Sequence, residues 1–204
     1  MAQRLLTIGL LLTGLAFLGD WTWEQLDARW FQSAQSRRLE DLQLHAAASR
    51  LAAAPDAKRG DGAPGKATSS AAPQTGDLIG KIDIDRVGLS AIIAEGTDSR
   101  TLRRAVGHVP STPLPGEDGN VVLAGHRDSF FRGLRSVQAG DRIEVLTPDR
   151  RLRYEITSME VVGAEDTDVL GPTKERSLTL ITCYPFHYIG PAPDRYVVRA
   201  RQVD

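Results

Sequence analysis

Short runs of β-branched and aliphatic residues, separated by glycine and proline turns, fill residues 77–204 of the chain. Apolar residues that recur with a period of two are typical of a strand with one buried face. Two strands are predicted within residues 78–96, broken at Gly88. The others are Val121–Ala124, Arg142–Leu146, Leu152–Val162, Leu178–Thr182 and Tyr196–Ala200. Seven or eight strands with little helix predict a mainly β domain, either a small closed barrel or a sandwich.

Helix and loop signals interrupt this pattern once. Ser99–Gly107 is rich in arginine and leucine and ends in glycine, which predicts a short helix over these residues. His108–Asn120 contains three prolines and two glycines and is predicted to be a loop.

The charges of the chain are nearly balanced. Lysine and arginine number 25 and aspartate and glutamate number 26, which gives a net charge of −1, and the basic residues form no block. This balance argues against a nucleic-acid partner.

The start of the chain carries an apolar run, Leu5–Gly19, that is uncharged for 15 residues. It is long enough to approach a bilayer span, and a cleaved signal peptide is the alternative interpretation. Trp21 and Trp23 follow where a cleavage site needs small residues, which favours an uncleaved transmembrane anchor over residues 1–23. Arg4 precedes the run and acidic residues follow it. This predicts a cytoplasmic N-terminus with the rest of the chain outside the cell membrane.

Two segments join the predicted anchor to the β domain. Residues 24–51 are rich in helix formers and are predicted to form a helical stalk. A helix lying on the lipid surface, with Trp30 and Phe31 buried, is the alternative. Residues 52–76 are mostly small and polar and are predicted to be a flexible linker. The globular domain is therefore predicted to cover residues 77–204.

Cys183, the only cysteine of the chain, ends a predicted strand and faces a proline-rich loop. It has no intramolecular disulfide partner, so packing, metal or intermolecular bonding, and thiol reactivity remain as its functions. Arg195 begins the next predicted strand, and a hairpin-like return would bring it to the same rim as Cys183. A reactive thiol needs a base or a positive charge nearby.

Four histidines could supply the base: His45, His108, His126 and His187. His45 lies in the predicted stalk, and His108 is expected to be a supporting or surface residue. His126 ends a strand in the same way as Cys183, which makes it the favoured base. His187 lies four residues beyond Cys183 but follows Pro185 in a loop that would not fix such a pair.

Three segments around these residues carry a family resemblance. Ala-Gly-His-Arg-Asp-Ser-Phe-Phe at 124–131, Thr-Leu-Ile-Thr-Cys-Tyr-Pro-Phe at 179–186 and Ala-Pro-Asp-Arg-Tyr-Val-Val at 192–198 resemble the signature segments of the sortases. Sortases are membrane-anchored cysteine transpeptidases of bacterial surfaces. The Cys-Tyr-Pro-Phe sequence and the predicted anchor are similar to those of class D members.

The resemblance implies an eight-stranded β-barrel that recognises a C-terminal sorting signal of the Leu-Pro-X-Thr-Gly kind. It implies that Cys183 is the acyl-thioester nucleophile, that His126 gives and takes the proton, and that Arg195 stabilises the substrate and the oxyanion. The implied partners are surface proteins with such a signal and an amine acceptor, either a cell-wall precursor or a pilin lysine. This chemistry requires no cofactor.

Metal binding and other functions are the alternatives. The four residues Cys183, His126, His108 and His187 could form a zinc site, but their spacing matches no ligand signature. Calcium binding by acidic residues is a second alternative, and turn or capping carboxylates are the simpler interpretation of the same residues. They are Glu117, Asp118, Glu165, Asp166 and Asp168. Another cell-wall cysteine peptidase and a tethered β-domain that binds without catalysis are the alternative functions.

Overall fold

The computed structural model of the chain describes residues 2–53 and 72–203. The two α-helices of this part are α1 (Ala2–Ala53) and α2 (Ser99–Arg104). The strands are β1 (Leu78–Ile84), β2 (Leu89–Glu95), β3 (Val106–His108), β4 (Asn120–Ala124), β5 (Arg142–Leu146), β6 (Arg151–Gly163), β7 (Ser177–Tyr184) and β8 (Asp194–Val203). Short 3₁₀ helices cover Asp85–Val87, Phe130–Ser136 and Asp168–Leu170.

The eight described strands close into a barrel in the order β1-β2-β3-β4-β7-β8-β6-β5. The predicted barrel is therefore confirmed and a sandwich is excluded. β2 pairs with β3, and β4 with β7, in parallel, and the other neighbours are antiparallel. The parallel pairing of β4 with β7 matters most for function because it aligns the ends of two strands that are far apart in sequence.

Alternating apolar side chains fill the barrel. Each contributes about 1.5–3 kcal/mol by leaving water. Because alternate residues of a strand point to opposite faces, these buried positions also determine which residues point away from the interior. The core includes Ile82, Ile84, Val121, Leu123, Leu178, Leu180, Val198 and Ala200.

The segment predicted as one helix, Ser99–Gly107, divides into a helix and a strand. The Asp98 side chain caps α2 by accepting hydrogen bonds from the backbone N–H groups of Arg100 and Thr101 at 2.9 and 3.2 Å. The helix ends at Arg104, and β3 follows between β2 and β4. A Cβ on Gly107 would lie 2.3 Å from the carbonyl oxygen of Gly96. This glycine therefore permits close strand packing and does not end the helix.

A single helix, α1, includes residues of both the predicted anchor and the predicted stalk. Among the residues searched, those whose placement the structure describes, no helix combines the length and the apolar character that crossing a bilayer requires. Most side chains of residues 1–25 lie outside this description, including most of the apolar run on which the anchor prediction depends. Residues 54–71 of the predicted linker also lie outside the described residues.

The second half of α1 lies along the barrel wall. The Gln32 side chain donates from Nε2 to the carbonyl oxygen of Arg104 at 2.7 Å and accepts at Oε1 from the N–H of Ile92 at 2.9 Å. Arg104 also donates from Nε and Nη2 to the two carboxylate oxygens of Asp27, at 2.5 and 2.9 Å. Phe31 packs against the apolar cluster that contains Ile92. The residues of the predicted stalk therefore form a helix that makes specific contacts with the barrel domain.

A buried pair, Glu95 and His108, joins the end of β2 to the loop after β3. Their side chains are 8% and 2% exposed, and His108 Nδ1 lies 2.7 Å from Glu95 Oε2. His108 Nε2 lies 3.0 Å from the carbonyl oxygen of Pro113 and 3.1 Å from Thr112 Oγ1. A carbonyl oxygen only accepts, so Nε2 carries a hydrogen and donates it. His108 is thus a supporting residue that fixes the loop on its way to β4.

Replacing one member of this pair should destabilise the barrel. We expect His108→Ala to lower the free energy of unfolding by about 3–5 kcal/mol, because Glu95 would be left buried without its partner. Denaturant unfolding followed by circular dichroism measures this change. His45→Ala is the matched control, since His45 is exposed on α1, and should change stability by less than about 0.5 kcal/mol. Equal effects of the two variants would contradict the structural role of His108.

Tyr154 of β6 gives a second test of the core, at high pH. It is 1% exposed, and burial raises its pKa from 10.0 to about 12. The folded-state pKa is the higher one, so the stabilisation is complete below pH 10 and is lost as the pH rises through 12. By pH 11 the wild type should lose about 1 kcal/mol of stability that Tyr154→Phe retains. Denaturation curves between pH 9 and 11 measure this, and parallel losses in both proteins would contradict it.

Candidate active site

Strand pairing brings three predicted site residues to one rim of the barrel. In the parallel pair, Ala124 of β4 lies opposite Ile181 of β7. His126 and Cys183 each lie two residues further along their chains. In the antiparallel pair, Cys183 lies directly opposite Arg195 of β8. Neighbouring strands are about 4.8 Å apart, so the three residues follow one another across the sheet with the cysteine in the middle.

Hydrogen bonds extend the alignment of β4 and β7 beyond the last paired residues. The N–H of Gly125 donates to the carbonyl oxygen of Ile181 at 3.2 Å. The buried hydroxyl of Thr182 donates back to the carbonyl oxygen of Gly125 at 2.7 Å. A Cβ at residue 125 would lie 2.8 Å from the ring of Phe131, so this position requires glycine. The chain is therefore held on both sides just before His126.

The strand pleat determines where the side chains of the rim point. Leu178 and Leu180 face the core, so Cys183, an odd number of residues further on, lies on the opposite face of β7. On β8, Val198 belongs to the core and Arg195 lies on the opposite face for the same reason. Residues directly opposite each other in an antiparallel pair share a face. Cys183 and Arg195 are therefore side by side, and Cys183 is a free, half-buried thiol.

His126 opens on its other side to a cleft between the barrel and α1. The cleft has a mixed lining, in which polar residues such as Arg29 and Gln32 of α1 and Arg103 of α2 alternate with apolar residues such as Leu89 and Phe130. The backbone of His126 is held by Phe131, whose N–H donates to its carbonyl oxygen at 3.1 Å. The rim is thus accessible from the histidine side as well as from the side of the β7–β8 connection.

Three aromatic rings brace the strand ends around Cys183, a feature that the sequence analysis missed. Tyr184 and Tyr196 stack with ring centroids 6.1 Å apart, and Phe186 meets Tyr196 edge to face at 5.3 Å. Burial, and secondarily the neighbouring Tyr184, raise the pKa of Tyr196. The signal in the sequence is an aromatic residue immediately after both Cys183 and Arg195, where the pleat turns the side chain to the core face.

The remaining histidines and the acidic residues do not join this rim cluster. His187 is exposed in the β7–β8 connection, and His108 is buried against Glu95. Within residues 2–53 and 72–203, no group of three or more histidine, cysteine or acidic residues is placed to hold a metal ion. Three of the acidic residues considered for calcium have other partners: Asp118 pairs with Arg176, Glu117 accepts from Leu114 N–H, and Asp166 accepts from Asp168 N–H.

A thiol between an imidazole and a guanidinium is suited to acyl transfer. The imidazole can take the thiol proton, and the guanidinium can donate hydrogen bonds to a carbonyl oxygen that gains negative charge during attack. Both groups come from strands whose register is fixed by the barrel. The rim therefore brings a thiol, an imidazole and a guanidinium together at the ends of three neighbouring strands.

Comparisons with known proteins show one family to which the chain is similar. A family profile described as the Sortase domain matches residues 82–203, a span that contains all three rim residues. Sortase D of Bacillus subtilis strain 168 is 37% identical over 139 residues, which are 68% of this chain and 70% of that protein. The solved structure of a Clostridium perfringens Sortase D5 transpeptidase superimposes with a TM-score of 0.59 and 36% identity, covering 65% of this chain and 82% of that one. Sortase A from Corynebacterium diphtheriae gives a TM-score of 0.59 and 33% identity, covering 63% and 62%.

The link between Thr182 and Gly125 can be tested through stability. Thr182→Val keeps the shape of the side chain and removes the hydroxyl, leaving the carbonyl oxygen of Gly125 without this donor. We expect a loss of about 1–3 kcal/mol in the free energy of unfolding, measured by chemical denaturation. Thr157→Val, which removes an exposed threonine hydroxyl that donates to the carbonyl oxygen of Arg199, is the control and should cost less. A Thr182→Val variant as stable as the wild type would show that the link does not hold the rim together.

Proposed function

Because the chain belongs to the sortase family of cysteine transpeptidases, we propose that it cleaves a Leu-Pro-X-Thr-Gly-like sorting signal and transfers the released acyl group to an amine. The observation that carries this proposal is that His126, just after β4, lies at the same rim as Cys183 of β7 and Arg195 of β8. The similarity to Sortase D and to the Sortase D5 structure supports a class D-like member of the family.

The first half-reaction uses the central thiol. Cys183 Sγ attacks the carbonyl carbon of the threonine in the signal, and its proton passes to His126. The tetrahedral intermediate collapses as the bond to the following residue breaks, and His126 gives the proton to the leaving amine nitrogen. The products are a thioester on Cys183 and a free amine. Hydrogen bonds from Arg195 stabilise the oxygen that carries negative charge between these steps.

The second half-reaction reverses the direction of proton transfer. An incoming amine attacks the thioester carbon, His126 takes the amine proton, and the Cys183 thiolate leaves as a new amide forms. Water in place of the amine gives a carboxylic acid and hydrolysis. The proposed partners are surface proteins that carry the sorting signal and an amine acceptor, a cell-wall precursor or a pilin lysine.

The proposed location is the outer face of the cell membrane. The apolar run Leu5–Gly19, with Arg4 before it and Asp20 after it, supports a single-pass anchor with a cytoplasmic N-terminus. The docking of α1 on the barrel through Gln32 would then hold the catalytic rim at a defined distance from the bilayer. A surface-protein substrate that is itself membrane-associated would meet the enzyme in this orientation.

Turnover of sorting-signal peptides tests the proposal. The full chain in mild detergent is incubated with quenched peptides of the Leu-Pro-X-Thr-Gly kind, with and without an amine acceptor. We expect cleavage and amide formation by the wild type, no cleavage by Cys183→Ala, and a loss of about 10²–10⁴-fold in His126→Ala. His187→Ala, an exposed histidine near the rim, should resemble the wild type.

Three outcomes of this experiment would contradict the proposal. If the Cys183→Ala variant still cleaves the peptide, Cys183 is not the nucleophile. If cleavage is lost in His187→Ala but not in His126→Ala, His187 and not His126 carries the proton. Peptide binding without turnover in the wild type would favour a tethered binding domain.

A further inference from the structure

Two arginines donate to backbone carbonyls of the β7–β8 loop, residues 185–193, and of Asp194, the first residue of β8. Arg127, the residue after His126, donates from Nη2 to the carbonyl oxygens of Tyr188 and Gly190, at 2.7 and 3.1 Å. Arg195 donates from Nη1 to the carbonyl oxygens of Ala192 and Asp194, at 3.3 and 3.0 Å. Every second carbonyl from residue 188 to residue 194 thus accepts from one terminal nitrogen of an arginine.

We propose that Arg127 is a positioning residue, which fixes the β7–β8 loop so that the carbonyls of Ala192 and Asp194, where the loop enters β8, orient Arg195 beside Cys183. The inference rests on the proposed function, because it assigns Arg127 a part in the same acyl transfer. Arg127 touches neither the thiol nor the peptide in this scheme. It acts through the loop.

The loop has few interactions of its own that could replace this contact. In the described part of the chain, its backbone hydrogen bonds are from Tyr188 N–H to Pro185 O and from Ala164 N–H to Pro193 O, each at 3.2 Å. Its three prolines have no N–H to donate. The side chain of Ile189, between the two carbonyls that Arg127 holds, is 97% exposed and gives the loop no packing. The Phe186 ring anchors the start of the loop against Tyr196, and the guanidinium of Arg127 ties the middle of the loop, Tyr188 and Gly190, to the barrel rim.

The donors of Arg195 show how the loop can orient it. A guanidinium has five N–H groups in one plane, two of them on Nη1. In Arg195, Nη1 donates to the carbonyl oxygens of Ala192 and Asp194, which fixes the plane and leaves Nε and Nη2 with three N–H groups for a substrate. Cys183 lies directly opposite in the strand pairing. A carbonyl under attack by the thiol thus meets donors whose direction is set before the substrate arrives, the arrangement that lowers an electrostatic barrier most.

Arg127, the residue after His126, is well placed to hold the β7–β8 loop. Successive residues at the end of β4 point in different directions, so His126 serves the rim while Arg127, which is half-buried, reaches across to the loop. Lysine could not reproduce the contact fully. Its ammonium is a compact charge on a flexible stem, whereas one nitrogen of the planar guanidinium holds two carbonyls in a fixed relation.

A double-mutant cycle tests whether Arg127 acts through Arg195. The full chain and its variants Arg127→Ala and Arg127→Lys are assayed with the quenched peptides, each in the wild-type and in the Arg195→Lys background. We expect Arg127→Ala to lower kcat/KM about 10–100-fold in the wild-type background, since misorientation of a catalytic group costs this much. Arg127→Lys should recover part of the loss. In the Arg195→Lys background, Arg127→Ala should lower kcat/KM by less than about threefold, because residues that act as a unit are not additive.

Arg132→Ala is the matched control, an exposed arginine of the Phe130–Ser136 helix that has no hydrogen bond to the loop in the described residues. It should leave kcat/KM within about twofold of the wild type. Equal fold losses from Arg127→Ala in both backgrounds, or a loss no larger than that of Arg132→Ala, would overturn the proposal. If Arg127→Ala unfolds, Arg127→Lys carries the same test, with a loss in the wild-type background that is absent with Arg195→Lys.

Hydrogen exchange of the loop amides separates this inference from the proposed function. Arg127→Ala should raise the exchange rate of the Tyr188 amide at least tenfold, and Arg132→Ala should not change it. This measurement requires no turnover. If the wild type does not cleave peptides but the variants show this exchange pattern, the proposed function is refuted. The role of Arg127 in fixing the β7–β8 loop is then still supported. If Arg127→Ala leaves the exchange rate of the Tyr188 amide unchanged, Arg127 does not fix the loop, even if the enzyme cleaves peptides.

Discussion

The parallel pairing of β4 with β7 is the interaction on which the site depends. It places Gly125 against the last buried residues of β7, and the Thr182 hydroxyl locks the alignment from the other strand. A slip of one residue would turn Cys183 toward the core and Thr182 toward the rim. Because both strands are interior members of a closed barrel, such a slip would also disturb the core on either side. The position of the nucleophile is thus stabilised by the whole barrel.

The two neighbours of the thiol are held in different ways. His126 follows a strand that is paired on both sides and a glycine that packs against the Phe131 ring. Arg195 is the second residue of β8, and the carbonyl oxygens of Ala192 and Asp194 hold its guanidinium. The barrel strands therefore fix the thiol and the imidazole, while the guanidinium is fixed where the β7–β8 loop enters β8. Loops on a rigid scaffold are the parts of an enzyme that most readily vary with the substrate.

Much of the fold and the identity of the rim residues could be predicted from the sequence, because period-two alternation and the segments around His126, Cys183 and Arg195 are local signals. The strand β3 was missed, because its short length and its glycine resembled the end of a helix. The docking of α1 through Gln32 could not be predicted, since its partners are backbone groups 60 and 72 residues away. The contacts of Arg127 depend on the conformation of a loop that no periodicity describes.

The proposed acyl transfer requires that the Cys183 thiol form a covalent thioester with the substrate. Acid quenching during turnover, followed by mass spectrometry of the intact chain and of its peptides, detects such an intermediate. We expect an adduct with the mass of the acyl fragment on the N-terminal side of the cleaved bond, attached at Cys183 and removed by hydroxylamine. Cleavage without any adduct, or an adduct at another residue, would refute a thioester at Cys183.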